Sequence, residues 1–247
     1  MPSLSYRSYT NELLDADNIP FDEIKLNLQE LNTINTLLGG HKITVDGVKA
    51  FTKNNTSLYI CEIGCGGGDN LNAVAKWSKG QQLKSGQPEL VEGGACQTEL
   101  VEGYTGIDLK KECIDFASQQ YGSLATWITS DYSKVNFENE KPDVIFSSLF
   151  CHHFTEEQLA KMLQWKLENS KVGFFINDLQ RNAVAYFLIK WLTKIFSKSY
   201  LVKNDAPLSV ARGFHKKEWI AILKEAGIKN YTIQWKWAFR YLIICKK

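Results

Sequence analysis

Leu58-Tyr59-Ile60-Cys61-Glu62-Ile63-Gly64-Cys65-Gly66-Gly67-Gly68-Asp69-Asn70-Leu71 is an apolar run that ends in an acidic residue and breaks into glycines. Leu58, Tyr59, Ile60 and Ile63 suit a short buried strand, the glycines a tight turn, and Asn70 to Trp77 the opening of a helix. Such a turn is a nucleotide cradle. Glycine admits positive φ and removes the Cβ atoms that hold a ligand off the backbone, and the following helix offers unpaired N–H groups. Spacing narrows the ligand. A dinucleotide fingerprint needs glycine at its first, third and sixth positions, and here the sixth is Asp69; a phosphate loop needs Lys followed by Ser or Thr, and here Asp69 and Asn70 stand instead. What remains is acidic-x-Gly-x-Gly-x-Gly, filled by Glu62, Gly64, Gly66 and Gly68.

The rest of the composition sets bounds. At 247 residues and 44% hydrophobic, the chain fits one α/β domain or two small ones. With 29 basic and 27 acidic residues, its net charge of +2 gives no overall field for nucleic acid. The start shows no charged and then apolar leader, and no uncharged run is long enough to span a bilayer, so a cytoplasmic protein is expected. Cys61, Cys65, Cys96, Cys113, Cys151 and Cys245 form no CxxC pair, which argues for reduced thiols and against both zinc and a disulfide framework.

Residues 1–52 read as an N-terminal arm and a helix, and 53–247 as the binding domain. The arm, to residue 19, lacks a period and reads as mobile or as covering a partner. From Phe21 to Leu38 apolar residues recur at helical spacing, with Gly39-Gly40 as the stop. That helix covers either the core or a substrate. A second short helix is expected over Val45 to Phe51. Beyond the glycine turn, Gln87-Pro88-Glu89-Leu90-Val91-Glu92-Gly93 recurs as Gln97-Thr98-Glu99-Leu100-Val101-Glu102-Gly103. Two copies are too few for a solenoid, so 79–103 reads as a disordered insert in the crossover. Forty-four positions separate Gly64 from Asp108; without the insert's 25 residues nineteen remain, near the ~20 between a glycine turn and a ribose-binding acid. Asp108, at the end of a strand over Tyr104 to Asp108, is therefore the expected ribose ligand, with an ordinary helix cap as the alternative.

Further strands are expected at Leu124–Thr129, Pro142–Phe150, Val172–Asn177, Ile228–Trp235 and Trp237–Cys245. Helices are expected at Lys110–Gln120, Thr155–Asn169, capped by Thr155, and Lys216–Ala226. Strand ends in such a sheet face the ligand. They carry His152 and His153 after the fourth strand, and Asp178 to Arg181 after the fifth. His153 could take a proton from an acceptor, since its ordinary pKa lies near neutrality. Adjacent histidines on one loop lack obvious further ligands, so no metal is expected. Arg181 either holds an anionic oxygen or pairs with Asp178. Ala183 to Tyr200 is apolar and aromatic with Lys190, Lys194 and Lys198 at four-residue spacing. It suits a lipid-surface contact at the inner face of the membrane, a greasy pocket wall, or a helix buried under the arm.

The Glu62 to Gly68 pattern resembles motif I of the class I S-adenosylmethionine-dependent methyltransferases. The resemblance implies a Rossmann-like, seven-stranded, mostly parallel sheet with a C-terminal antiparallel hairpin and helices on both faces. It implies S-adenosyl-L-methionine as cofactor, held by Glu62, Gly64, Gly66, Gly68, Asp108, Leu109, Asp131, Tyr132 and Leu149; Ser130-Asp131-Tyr132 resembles the family's adenine-contacting segment. The Glu12-Leu13-Leu14-Asp15 arm, Leu37-Leu38-Gly39-Gly40 and the Asp178 to Arg181 link are most similar to the bacterial methyltransferases that accompany type III polyketide synthases. Ser209 to Phe214 looks loosely like a segment of ubiquinone and menaquinone biosynthesis methyltransferases. On this reading the acceptor is a small phenolic or lipid-like molecule methylated on oxygen, with His153 and Arg181 as catalytic residues and His152, Tyr186, Arg212 and Phe214 around the acceptor. A quinone-type carbon methyltransferase and a nicotinamide-dependent oxidoreductase are the alternatives. Nothing in the sequence fixes an oligomeric state.

Overall fold

The computed structural model describes residues 4–52, 57–84, 101–137 and 140–247. Five strands run parallel: β1 (Leu58–Ile63), β2 (Val101–Asp108), β3 (Thr126–Thr129), β4 (Val144–Ser148) and β5 (Gly173–Leu179). β6 (Tyr231–Lys236) and β7 (Arg240–Lys246) form a hairpin whose second strand lies antiparallel to β5. The order is β3-β2-β1-β4-β5-β7-β6, the expected seven-stranded sheet. Ala238 and Phe239 join the hairpin with φ of 60° and 56°. Lys236 pairs with Arg240, so the turn has three residues, Trp237 to Phe239, and its left-handed positions are filled without Asn or Gly.

Strand periodicity divides the core. Phe174, Ile176, Ile243 and Cys245 point to one face, where α5 (Glu156–Asn169) and α8 (Lys216–Glu225) cover them through Leu159, Leu163, Trp219 and Leu223. Phe175, Leu242 and Ile244 point to the other, under α2 (Gly40–Lys49) and α3 (Asp69–Lys84), and α4 (Lys111–Tyr121) packs on β2 and β3. Parallel strands need both faces covered, which explains the near-continuous burial of β1, β4 and β5. Thr155 accepts from the N–H of Gln158 while the Gln158 side chain caps in return, so α5 starts where its capping pattern places it.

Four expectations change. α2 begins at Gly40 rather than Val45, directly after α1 (Phe21–Leu37). α3 continues through Lys84 and β2 starts at Val101, so the two ends of the expected insert are regular structure. Most of the repeat lies outside the described residues. The stretch after Ala183 forms two helices, α6 (Ala183–Phe196) and α7 (Tyr200–Arg212), the second started by Ser199, which accepts from the N–H of Val202. α7 accommodates Pro207, which in the sequence looks like a break. Finally, the arm is docked rather than free. The Arg7 guanidinium donates to the carbonyls of Arg212, His152 and Phe154, and the Asp205 carboxylate accepts from the N–H groups of Leu13 and Leu14.

Candidate active site

The strand order reverses at β1, which lies between β2 and β4, and in open α/β sheets ligands bind in the crevice beyond the strand ends at such a point. A cavity of about 730 Å³ opens there. Gly64, Cys65, Gly66 and Gly67 form part of its wall. Gly64 has φ of 66°, and a Cβ on it would overlap the Phe150 ring. A Cβ on Gly66, at φ of 50°, would make an ordinary contact with Leu28 at 3.7 Å. Conformation favours glycine at both positions, and close packing requires it only at the first.

Asp108 closes this side. Its two carboxylate oxygens each accept one backbone N–H, from Gly66 and Lys110, both at 2.9 Å. Burial pushes its pKa up. Each oxygen keeps a lone pair for a further donor, so a diol could still be held there. Leu109 and Leu149 line the same cavity, and Leu149 has φ of 53°, a strained conformation for a leucine. Glu62 lies beneath the cavity instead of on its wall. It accepts from the Asn70 side-chain amide at 2.9 Å and so orients Asn70, which does face the cavity. Burial, then the charge of Asp69, pushes Glu62 well above the ordinary carboxylate range.

Two buried cavity-lining groups have donors without a partner. Arg240 is 2% exposed; one terminal nitrogen donates to Asn35, but Nε and the other terminal nitrogen make no hydrogen bond. Burial pushes its pKa down to about 10. The Asn27 side-chain amide is likewise buried and unpaired at the cavity wall. Unpaired buried donors are costly, and a cationic one above all, so the wall at Arg240 suits a ligand carboxylate.

Across the cavity a second cluster assembles. His152 is buried, with Nδ1 at 2.8 Å from Oδ1 of Asp178 and Nε2 at 3.5 Å from Oε1 of Glu12. His153 is partly exposed, with Nε2 at 3.8 Å from Glu12 and Nδ1 at 3.3 Å from Asp15. Burial alone would lower the pKa of His152, but the Asp178 charge and the contact with Glu12 outweigh it and raise it to about 9. Burial would likewise raise Asp178 and Glu12; attraction to His152 holds both below the ordinary range. Glu12, His152 and His153 all line the cavity, next to the apolar Leu188, Ile189 and Leu192 of α6.

The structure separates several sequence candidates from this site. Arg181 is buried against Glu218, which it grips with both terminal nitrogens, and donates also to the carbonyls of Gly213 and Leu4. Its partner is not Asp178, and it has no face to the cavity. Arg212 donates to the carbonyls of Thr10, His152 and His153, so it fixes the histidine loop and the arm instead of touching the cavity. Phe214 is buried between Trp219 and Arg7, and Tyr186 packs with Val210 and Ala211. Asp131 caps a short helix through the N–H of Ser133, Tyr132 packs on Phe150, Phe154 and Trp165, and Gly68 faces Trp127; none of the three lines the cavity. Sequence reading missed Glu12, Asp178 as the His152 partner, Arg240 and Asn27. Glu12 sits in an aperiodic arm, and Arg240 follows a turn with no breaker residues, so neither carried a local signal.

Residues 94–168 match a family model described as a methyltransferase domain. The structure is similar to the plantazolicin methyltransferase BpumL in complex with SAH, at 17% identity over 92% of this chain and 90% of that one, with a TM-score of 0.61. The fold is that of the class I methyltransferases. The same methyltransferase fold is seen in a SAM-dependent methyltransferase from Aquifex aeolicus, at 16% identity over 93% of this chain and 99% of that one and a TM-score of 0.57. The magnesium protoporphyrin IX methyltransferase of Synechocystis PCC 6803 with bound SAH is a further example, at 16% identity over 84% and 83% of the two chains and a TM-score of 0.51. No curated protein sequence matches this chain.

Proposed function

We propose that this chain transfers the methyl group of S-adenosylmethionine to an oxygen of a small, apolar or phenolic acceptor. The observation that carries this reading is a single cavity bordered on one side by the glycine turn and Asp108 and on the other by the Glu12–His152–His153 cluster and α6. The residues fit the cofactor. Asp108 retains lone pairs for ribose hydroxyls, Gly64 and Gly66 allow close approach, and Arg240 and Asn27 have free donors for a carboxylate. When bound, S-adenosylmethionine supplies an electrophilic methyl group on a positively charged sulfur.

What the chain's own residues must do is align the acceptor and exclude water. Leu188, Ile189 and Leu192 supply the apolar wall. In this reading His153 receives a proton from the acceptor hydroxyl, which its position between two carboxylates at the cavity edge supports, whereas His152, held charged by Asp178, acts as a positioning residue. Phe187, Trp191 and Phe196 are exposed on α6, alternating with Lys190 and Lys194, and support an acceptor that arrives from an anionic lipid surface. No helix among the described residues is long and apolar enough to cross a membrane. The polyketide association rests on sequence resemblance alone.

The test is incubation with methyl-labelled cofactor and a panel of alkylresorcinols, simple phenols and quinols. Label in a methyl ether supports the reading, label on ring carbon replaces it with carbon methylation, and label only in protein or RNA removes the small acceptor.

A further inference from the structure

We propose that Glu12, His152 and His153 bind a single divalent transition-metal ion of the zinc class at the acceptor side of the cavity. One ligand atom from each lies within 4.8 Å of the other two. Oε1 of Glu12 is 3.5 Å from Nε2 of His152, and Oε2 is 3.8 Å from Nε2 of His153. These gaps are too long for good hydrogen bonds. Ligands around one tetrahedral ion with bonds of about 2.0–2.2 Å stand roughly 3.3–3.5 Å apart, so the three ligand atoms have to draw together by no more than about 1.5 Å.

A stronger argument comes from what stands behind the three residues. Metal-ligating histidines nearly always donate their other ring N–H to a carboxylate, a carbonyl or water, and their carboxylate co-ligands are hydrogen-bonded in turn. Each of the three has such a brace. Nδ1 of His152 faces Asp178 at 2.8 Å, Nδ1 of His153 faces Asp15 at 3.3 Å, and Glu12 accepts from the Ser209 hydroxyl at 2.7 Å. The backbone is fixed as well, because Arg7 donates to the carbonyl of His152 and Arg212 to those of both His152 and His153. Metal binding would displace the His152 proton; with both imidazoles neutral, the carboxylates of Glu12, Asp15 and Asp178 outweigh the Arg212 guanidinium 3.5 Å from Asp15, so the site is net negative and attracts a dication. Two nitrogens and one oxygen with a side open to the cavity suit zinc or iron(II) and leave room for an exchangeable ligand.

The binding claim stands apart from methyl transfer, but its role rests on that reading. The ion would coordinate the acceptor oxygen and stabilise its ionised form, the hydroxyl proton passing to solvent, with His153 then serving as a ligand. Adjacent histidines gave no such signal in the sequence. The third ligand comes from the N-terminal arm, and only its docking brings Glu12 to them.

The test uses the full chain, stripped of metal and titrated with Co²⁺, then Zn²⁺, in parallel with S-adenosylmethionine. The expected result is one Co²⁺ per chain with visible absorption of a four- or five-coordinate site, displaced by Zn²⁺. Glu12→Gln and His153→Ala should each weaken Zn²⁺ binding at least about tenfold. His41→Ala, whose ring pairs with Asp69 elsewhere, should bind as the unaltered protein does. Should a variant fail to fold, a Zn²⁺-dependent rise in the melting temperature of the unaltered chain, suppressed by excess chelator, replaces it as support. Absence of saturable Co²⁺ absorption, no Zn²⁺-dependent melting shift, or equal affinity in the folded ligand variants overturns the proposal. S-adenosylmethionine binding that persists in those cases shows that the methyl-transfer reading survives without the metal.

Discussion

Nε2 of His152 lies 3.5 Å from Oε1 of Glu12, so the N-terminal arm supplies one wall of the acceptor side. The pair is buried, and on its far side His152 meets Asp178. With a folded pKa of about 9 against an ordinary value of 6.5, His152 binds its proton more tightly in the native state. Its contribution to stability is therefore complete below pH 6.5 and is lost as pH rises toward 9. The melting temperature of chelator-treated protein should fall over that window. Asp178→Asn should flatten the dependence and destabilise by about 3–5 kcal/mol, because it removes the nearer of the two carboxylates that hold the buried His152 charge. A melting temperature that is flat or rises across the window would contradict the assignment.

Arg240 separates binding from stability. Its unpaired donors serve a ligand carboxylate and cost the free protein, so Arg240→Met should weaken S-adenosylmethionine binding by about 1.5–3 kcal/mol, roughly ten- to over a hundredfold. The same variant should melt no lower than the unaltered protein. Calorimetric titration with thermal denaturation checks both; unchanged affinity would remove Arg240 from the cofactor site.

The glycine turn predicts an asymmetry. Gly66→Ala pays only for left-handed backbone, about 1–2 kcal/mol. Gly64→Ala adds an overlap with the Phe150 ring and should lose more stability and more cofactor affinity. Equal effects in denaturant melts would show that Phe150 yields freely.

Lys166 is buried in the sheet core, with Nζ donating to the Ser147 hydroxyl at 2.6 Å, and burial holds its pKa down. None of the cavity chemistry uses it. Lys166→Met should keep the volume, remove the desolvated amine and raise the melting temperature by a few degrees. A large drop would mean that the Ser147 contact outweighs burial.

How legible these features were depends on their range. The strand, the glycine turn and Asp108 lie on contiguous elements with their own period and breakers, so the sheet and the cofactor side could be read locally. α7 was not legible, because Pro207 and the short apolar runs around it resemble a loop, and the neighbouring α6 is what holds it as a helix. Arg181 follows a strand end and Arg212 closes α7, but Glu218 and backbone carbonyls use up their donors. Glu12 could not be placed at all, since long-range anchors, among them Arg7, Asp205 and Arg212, bring the arm onto the histidines.

The most direct test of the account is equilibrium binding and turnover on one preparation of the full chain. S-adenosylmethionine should bind in the ~1 µM–1 mM range usual for enzyme substrates, NAD should not bind, and methyl label should pass to a small hydroxylated acceptor extracted into organic solvent. NAD binding without S-adenosylmethionine binding, or label confined to macromolecules, would contradict it.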